Sequence, residues 1–145
     1  MTFEGQAAMT LEFAAVAEIN EPYPVPLRAA EDGLIADWEP MIRQIIDERL
    51  SGVPVGRISA RFHNSLAQLA VEIAQKSDCD HVVLTGGCFQ NALLTERVRQ
   101  RLLGSGFTVH THQRVPPGDG GIALGQIFVA ARQMQGSIDV PGNSR

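Results

Sequence analysis

The sequence predicts an α/β fold in which short parallel strands pack with several helices. One observation behind this is the stretch Gly56 to Lys76, where Ile58, Phe62, Leu66, Leu69, Ala70, Ile73 and Ala74 recur at three and four residues, the period of an amphipathic helix. A second is the apolar run His81 to Thr85, which follows that helix almost directly and breaks at Gly86-Gly87. The third is the order strand, helix, strand, helix after residue 80. This order implies a parallel pair joined by a crossover, with ligands received beyond the carboxyl ends of the strands.

Along the chain, Gly5 to Glu18 carries Leu11, Phe13, Ala14, Val16 and Ala17 and reads as a short helix. Pro22, Pro24 and Pro26 fix φ and bias their predecessors away from the helix, so this segment reads as an extended surface crossing. A strand-like piece, Leu34 to Trp38, leads to a helix from near Pro40 with Met41, Ile42, Ile45, Ile46 and Leu50 at helical spacing, closed by Ser51-Gly52-Val53-Pro54. After the Gly-Gly break a helix is expected from Phe89 to about Leu103, stopped by Gly104-Ser105-Gly106. Phe107 to His110 reads as the second strand, and Ile122 to Gln135 as the last helix. One domain over residues 1–135 and a flexible tail over 136–145 are expected.

At 145 residues the chain is long enough to hold a core without disulfides or metal, since a chain near this length buries roughly 68–70% of its unfolded surface. Cys79 and Cys88 make no disulfide framework and no signal peptide is read, so free thiols in the cytoplasm are expected. Twelve Lys and Arg against sixteen Asp and Glu give a formal charge of -4, with the basic residues scattered, which disfavours nucleic-acid binding. No apolar run reaches the roughly 18 residues that a membrane span needs.

The strand-to-helix break is where the chain is expected to work. Gly86-Gly87 removes Cβ atoms from a turn, and a helix that begins there offers free N–H groups and a positive dipole end to a phosphate. The loop from His112 to Gly121 follows the second strand and should converge on it. Gly86, Gly87, Asn91, Asp119, Gly120 and Gly121 are thus the expected lining of a cleft. On the residues alone, Asn91 reads as a stabiliser of the first helical turn and Cys88 as a small buried residue. His63 reads as a polar-face or interlobe contact. His110 and His112, two apart on a strand, would face one side and bind a metal with Asp119, although hydrogen-bonded or solvated histidines are the more ordinary reading.

At these loops the sequence resembles a known family. The string Leu84 to Leu94, followed by residues 106–126, resembles the carboxyl end of the HypF carbamoyltransferases that mature nickel–iron hydrogenases. Residues 3–12 and Ala60-Arg61-Phe62-His63-Asn64 look like segments of the same family. More distantly, the Gly-Gly turn with its Asn looks like that of the threonylcarbamoyl-tRNA modification enzymes. The resemblance implies the second, C-terminal lobe of an actin-like, Hsp70-like ATPase fold. It implies that Gly86, Gly87 and Asn91 contact ATP or an adenylate, with Gly5 loosely matching a further glycine at the nucleotide; Gly120 and Gly121, as lining of the expected cleft, are expected at the nucleotide with them. It also implies that Asp119 helps to hold a divalent metal, Mg, Fe or Zn.

In the intact family, the resemblance implies, carbamoyl phosphate and ATP give a carbamoyl-adenylate whose carbamoyl group passes to the C-terminal cysteine of a maturation partner. This chain departs from that pattern. It shows no acylphosphatase-like, zinc-binding or adenylating segment, and no His-x-x-x-His pair among His63, His81, His110 and His112. A fragment or split-gene product is therefore expected, with little carbamoyl transfer alone, needing the missing first lobe as partner and prone to weak homodimers. Two other readings stay open: a non-catalytic module that completes a cleft only with a partner lobe, and a metal-dependent hydrolase built on His110, His112 and Asp119.

Overall fold

The computed structural model describes residue 3, residues 5–31 and residues 33–134. The expected tail over 136–145 lies outside these residues. Element order is α1 (Gln6–Ala14), β1 (Leu27–Ala30), β2 (Gly33–Ala36), α2 (Glu39–Leu50), α3 (Val55–Ala74), β3 (His81–Leu84), α4 (Ala92–Gly104), β4 (Thr108–Thr111) and α5 (Ile122–Met134). Short 3-10 turns occupy Gly87–Gln90 and Asp119–Gly121.

The α/β unit expected after residue 80 is present. Strands β3 and β4 pair in parallel, with His81 opposite Thr108 and Leu84 opposite Thr111. Ala67, Val71 and Ala74 of α3, Leu84 of β3, and Leu94, Val98 and Leu102 of α4 form the core, with Phe89, Phe107 and Val109 packed on it. Helix α4 ends as its glycines predict. Gly106 takes φ +90, the Phe107 amide donates to the Leu102 carbonyl and the Gly106 amide to that of Leu103, a Schellman closure.

The buried face of α3 follows the expected stripe only in part: Ile58 and Ala74 are buried as expected, but the face is shifted between them. Ser59, Ala60, His63, Asn64, Ser65 and Ala67 are buried, whereas Ile73 is exposed and Phe62, Leu66 and Leu69 are only partly covered. Small residues let neighbouring backbone approach closely, so the seam runs along them and the larger side chains flank it. The 19–23 segment lies in that seam. Asn64 Nδ2 donates to the Ile19 carbonyl (2.8 Å), and its Oδ1 accepts from Arg97 (2.8 Å) and Arg101 (3.1 Å) of α4. Tyr23 is buried, its amide bonded to Ser65 Oγ and its hydroxyl to Glu48 (2.6 Å), with Arg61 over its ring and paired to Glu48. Burial first, and then the Glu48 carboxylate, raise the Tyr23 phenol well above its ordinary pKa.

Two further expectations are corrected. The Pro-rich crossing feeds a β-hairpin, β1 against β2 with Leu27 opposite Ala36 and Ala30 opposite Gly33, and only its second strand was anticipated. Asp32-Gly33 was the available signal, a favoured hairpin turn pair. Helix α1 stops at Ala14 rather than Glu18, because Ala15 is extended and the Val16 amide turns to the Gly56 carbonyl (3.1 Å). A Cβ on Gly56 would lie 2.6 Å from the Ala14 carbonyl oxygen, so this close approach of α1 to α3 requires glycine.

Candidate functional site

The two loops beyond the strand ends meet. Gly86 takes φ +102, a conformation that favours glycine, and its amide donates to the Pro117 carbonyl at 2.7 Å. His112 Nε2 lies 3.0 Å from Thr85 Oγ1, closing a second link between the loops. A Cβ on Gly118 would stand 2.7 Å from Gln90 Nε2 and 3.5 Å from the Gly87 Cα, so these glycines permit the contact. The result is a cleft of about 350 Å³ lined by Thr85, Gly86, His112, Pro116, Pro117, Gly118, Asp119, Gly121 and Ile122. Gly120 joins the same 3-10 turn against Pro116. A Cβ on Gly87 would meet nothing within 4 Å, leaving its backbone open to approach.

The helix end expected to receive a phosphate is filled by the protein itself. Residues 89–103 are not one helix: the chain makes a 3-10 turn over Gly87–Gln90, goes extended at Asn91, and only then enters α4. Asn91 Oδ1 accepts from the Leu94 amide (2.7 Å), while Glu12 Oε1 accepts from the Ala92 (2.8 Å) and Leu93 (3.2 Å) amides. An α-helix leaves its first amides unpaired, and a carboxylate plus an N-cap side chain satisfy three of them here. The free N–H groups expected at this helix are therefore taken, and the Gly86 amide is taken by Pro117. Backbone open to a ligand lies instead at Gly87. Glu12 was not singled out from the sequence, since eighty residues separate it from its partners and no local spacing announces it.

Asn91 is held at both ends. Its Nδ2 stands 3.0 Å from Nε2 of His63, whose Nδ1 stands 2.8 Å from the Ser59 carbonyl oxygen. A carbonyl only accepts and an amide nitrogen only donates, so His63 carries its proton on Nδ1 and accepts at Nε2. His63 is only 2% exposed, which corrects the polar-face reading. Burial lowers its pKa, and Arg97 lowers it further, against the opposing effects of the Ser59 hydrogen bond and Glu12.

The remaining expected residues divide. Asp119 lies exposed at the cleft, and Gly5 sits apart at the head of α1 with φ +81. Cys88 is exposed rather than buried, because the 3-10 turn carries it outward; both cysteines are free thiols. The grouping of His110, His112 and Asp119 does not form. His110 Nε2 faces Nδ1 of His81 (3.0 Å), and His112 lies past the strand end, where the two-residue alternation no longer governs it. Among the described residues no group of three or more His, Cys, Asp or Glu is placed to hold a metal ion. A larger groove of about 760 Å³ separates the hairpin from α2, but its polar rim is occupied by the Arg28–Asp37 and Arg43–Glu39 pairs, and no glycine loop enters it.

Fold and site together define an α/β unit that presents two interlocked glycine loops at the carboxyl ends of its parallel strands. The family model for the second subdomain of the carbamoyltransferase Kae1-like domain matches residues 1–126, and the chain belongs to that family. It is 40% identical over 136 residues to the carbamoyltransferase HypF of Synechocystis sp., a match covering 92% of this chain and 18% of that protein. To the Rhodobacter capsulatus HypF it is 36% identical, covering 92% and 17%. The crystal structure of full-length HypF in the phosphate- and nucleotide-bound form superposes with a TM-score of 0.86 at 39% identity, over 94% of this chain and 18% of that one. The chain thus spans less than a fifth of these relatives. Among the described residues no helix is long and apolar enough to cross a membrane.

Proposed function

We propose that this chain is the nucleotide-binding second lobe of a HypF-type carbamoyltransferase domain with an actin-like ATPase architecture, acting in hydrogenase maturation in the cytoplasm. The observation that carries this reading is the lock between Gly86 and Pro117, which fixes two glycine loops around one cleft in a fold that matches a nucleotide-bound HypF. At about 350 Å³ the cleft is at the small end of the range for a ligand site. The phosphate side of ATP or an adenylate would lie against Gly86, Gly87, Gly120 and Gly121, with Gly5 as an outlying contact.

Asp119 fits one position around a hard cation whose other ligands are phosphate oxygens and water, as magnesium prefers. It does not fit a zinc set: His112 lines the same cleft, but among the described residues no third His, Cys, Asp or Glu completes a metal-holding group with them. Such a cation would offset the charge of the bound phosphate. The chain's own residues would bind and orient: Gly87 admits the ligand, Pro117 holds Gly86, and Asn91 fixes the turn from behind. Carbamoyl transfer to a maturation partner would need the rest of the enzyme.

A second reading, a lobe that binds only when completed by the first subdomain, is favoured by exposed apolar surface. Val83 on β3 is 62% exposed and Phe128 on α5 is 61% exposed. A two-stranded parallel sheet is normally covered on both faces. Calorimetric titration with ATP and Mg²⁺, with and without the first subdomain, separates the two readings. Binding abolished by Asp119→Ala only when Mg²⁺ is present supports the metal role; binding by neither preparation overturns the nucleotide reading.

A further inference from the structure

We infer that His63 is a positioning residue for the nucleotide-binding turn: its unprotonated Nε2 holds the Asn91 side-chain amide, and through it the Gly86–Asn91 segment, so that acid weakens nucleotide affinity through a buried group that does not touch the ligand. This rests on the nucleotide reading of the cleft given above.

The geometry leaves Asn91 one arrangement. Its oxygen caps the Leu94 amide at 2.7 Å and its nitrogen donates to His63 at 3.0 Å. Protonating His63 places an N–H against the Asn91 NH2, two donors face to face. Flipping the amide cures that conflict only by turning NH2 toward the Leu94 N–H, which removes the cap. Neither arrangement satisfies both ends, and a buried unsatisfied donor is costly. The strain passes directly to the turn, because the Asn91 amide donates to the Cys88 carbonyl, and Thr95 Oγ1 bonds both the Phe89 and Asn91 carbonyls.

The charged groups facing His63 are Glu12 from α1 and Arg97 from α4, with the Ser59 carbonyl on its own helix. Glu12 favours the imidazolium and Arg97 opposes it, while burial disfavours it most. The neutral ring is therefore the resting state, and protonation is the event that releases Asn91.

The test is ATP–Mg²⁺ affinity of the full 145-residue chain, alone and with the first subdomain, between pH 8 and pH 5.5. Alongside it runs amide hydrogen exchange of residues 87–91 in the ligand-free chain. His63→Gln keeps an acceptor at the position of Nε2, so it should bind like the wild type at pH 8 and report the ligand's own titration. His63→Asn keeps only the Ser59 bond and should bind weakly at both pH values. Wild type should lose at least ~5-fold more affinity than His63→Gln on acidification, the scale of one disrupted buried hydrogen bond.

Asn91→Asp keeps the α4 cap, since Asp and Asn cap equally well, and should invert the trend because a carboxylate pairs with protonated His63. Equal acid profiles for wild type and His63→Gln, with turn exchange unchanged by pH, overturn the inference. No ATP binding in any preparation, with an acid-labile turn retained, overturns the nucleotide reading and the affinity claim together while supporting the hold of His63 on the turn.

Discussion

Glu12 of α1 hydrogen-bonds the backbone amide of Ala92 at 2.8 Å, joining the start of the chain to the first turn of α4. The same oxygen takes the Leu93 amide at 3.2 Å, so one carboxylate fills the dipole end that a bound anion would otherwise occupy. Glu12→Ala leaves two orphan amides and removes the tie from α4 to α1, a helix that buries no side chain of its own and is otherwise held by contacts with α3 such as Ser59 Oγ to the Leu11 carbonyl. It should cost about 1–3 kcal/mol of stability. Glu12→Gln keeps an acceptor but loses the charge and should cost less. A urea unfolding midpoint that Glu12→Ala leaves unchanged would show that the contact carries no weight.

The glycines of the cleft should separate by role when each is changed to alanine. Gly86 sits at φ +102 and a Cβ on Gly121 would stand 2.9 Å from the Pro116 carbonyl oxygen, so both substitutions should destabilise the loop pair by about 1–2 kcal/mol. At Gly118 the clash is with the tip of Gln90, which can swing aside, and the cost should be smaller. Gly87→Ala meets only open space, so its melting temperature should match the wild type while nucleotide affinity falls. Thermal melts and ATP titration on the four variants check this order; an unstable Gly87→Ala would contradict it.

The protonation of His63 also predicts how stability follows pH. Its folded pKa is lowered from 6.5, first by burial, so the unfolded chain binds the proton more readily. Stability rises with pH wherever the unfolded state holds more protons. The contribution of neutral His63 is complete above pH 6.5 and is lost as pH falls from there through the folded pKa. His63→Gln should flatten this part of the profile. A urea midpoint series from pH 8 to pH 5 measures it, and an identical slope in both proteins would remove His63 as its source.

The parts of this structure that were legible in the sequence are those encoded by local pattern. The α3–β3–α4–β4 order follows from hydrophobic period and glycine punctuation, and the convergence of 86–91 with 112–121 follows from parallel pairing. What stayed hidden depends on partners distant in the chain. Glu12 meets Ala92, Asn64 meets Ile19 and Arg97, and His63 meets Asn91. The large apolar residues of α3 drew the expected stripe, yet Ala60, Asn64 and Ala67 make the seam because close approach favours small side chains. The grouping of His110 with His112 failed because His81, on the neighbouring strand, stands nearer to His110 than sequence spacing could convey. Burial and side-chain pairing, set by tertiary contacts, are what the periodicities omit.

Helix α5 predicts behaviour in solution. Ile122, Leu124, Ile127, Phe128 and Met134 are all exposed, and none of its described residues is buried. A helix this apolar is ordinarily covered, and contiguous exposed apolar surface drives association. The chain alone should therefore self-associate weakly, with an apparent mass in sedimentation velocity that rises with concentration. Ile127→Glu and Phe128→Glu should each shift it toward the monomer without lowering the melting temperature, since neither side chain belongs to the core around Val98 and Leu102. Adding the first subdomain should also suppress self-association if the lobes share this surface. A chain that stays monomeric at every concentration would show that the exposed face of α5 does not drive association.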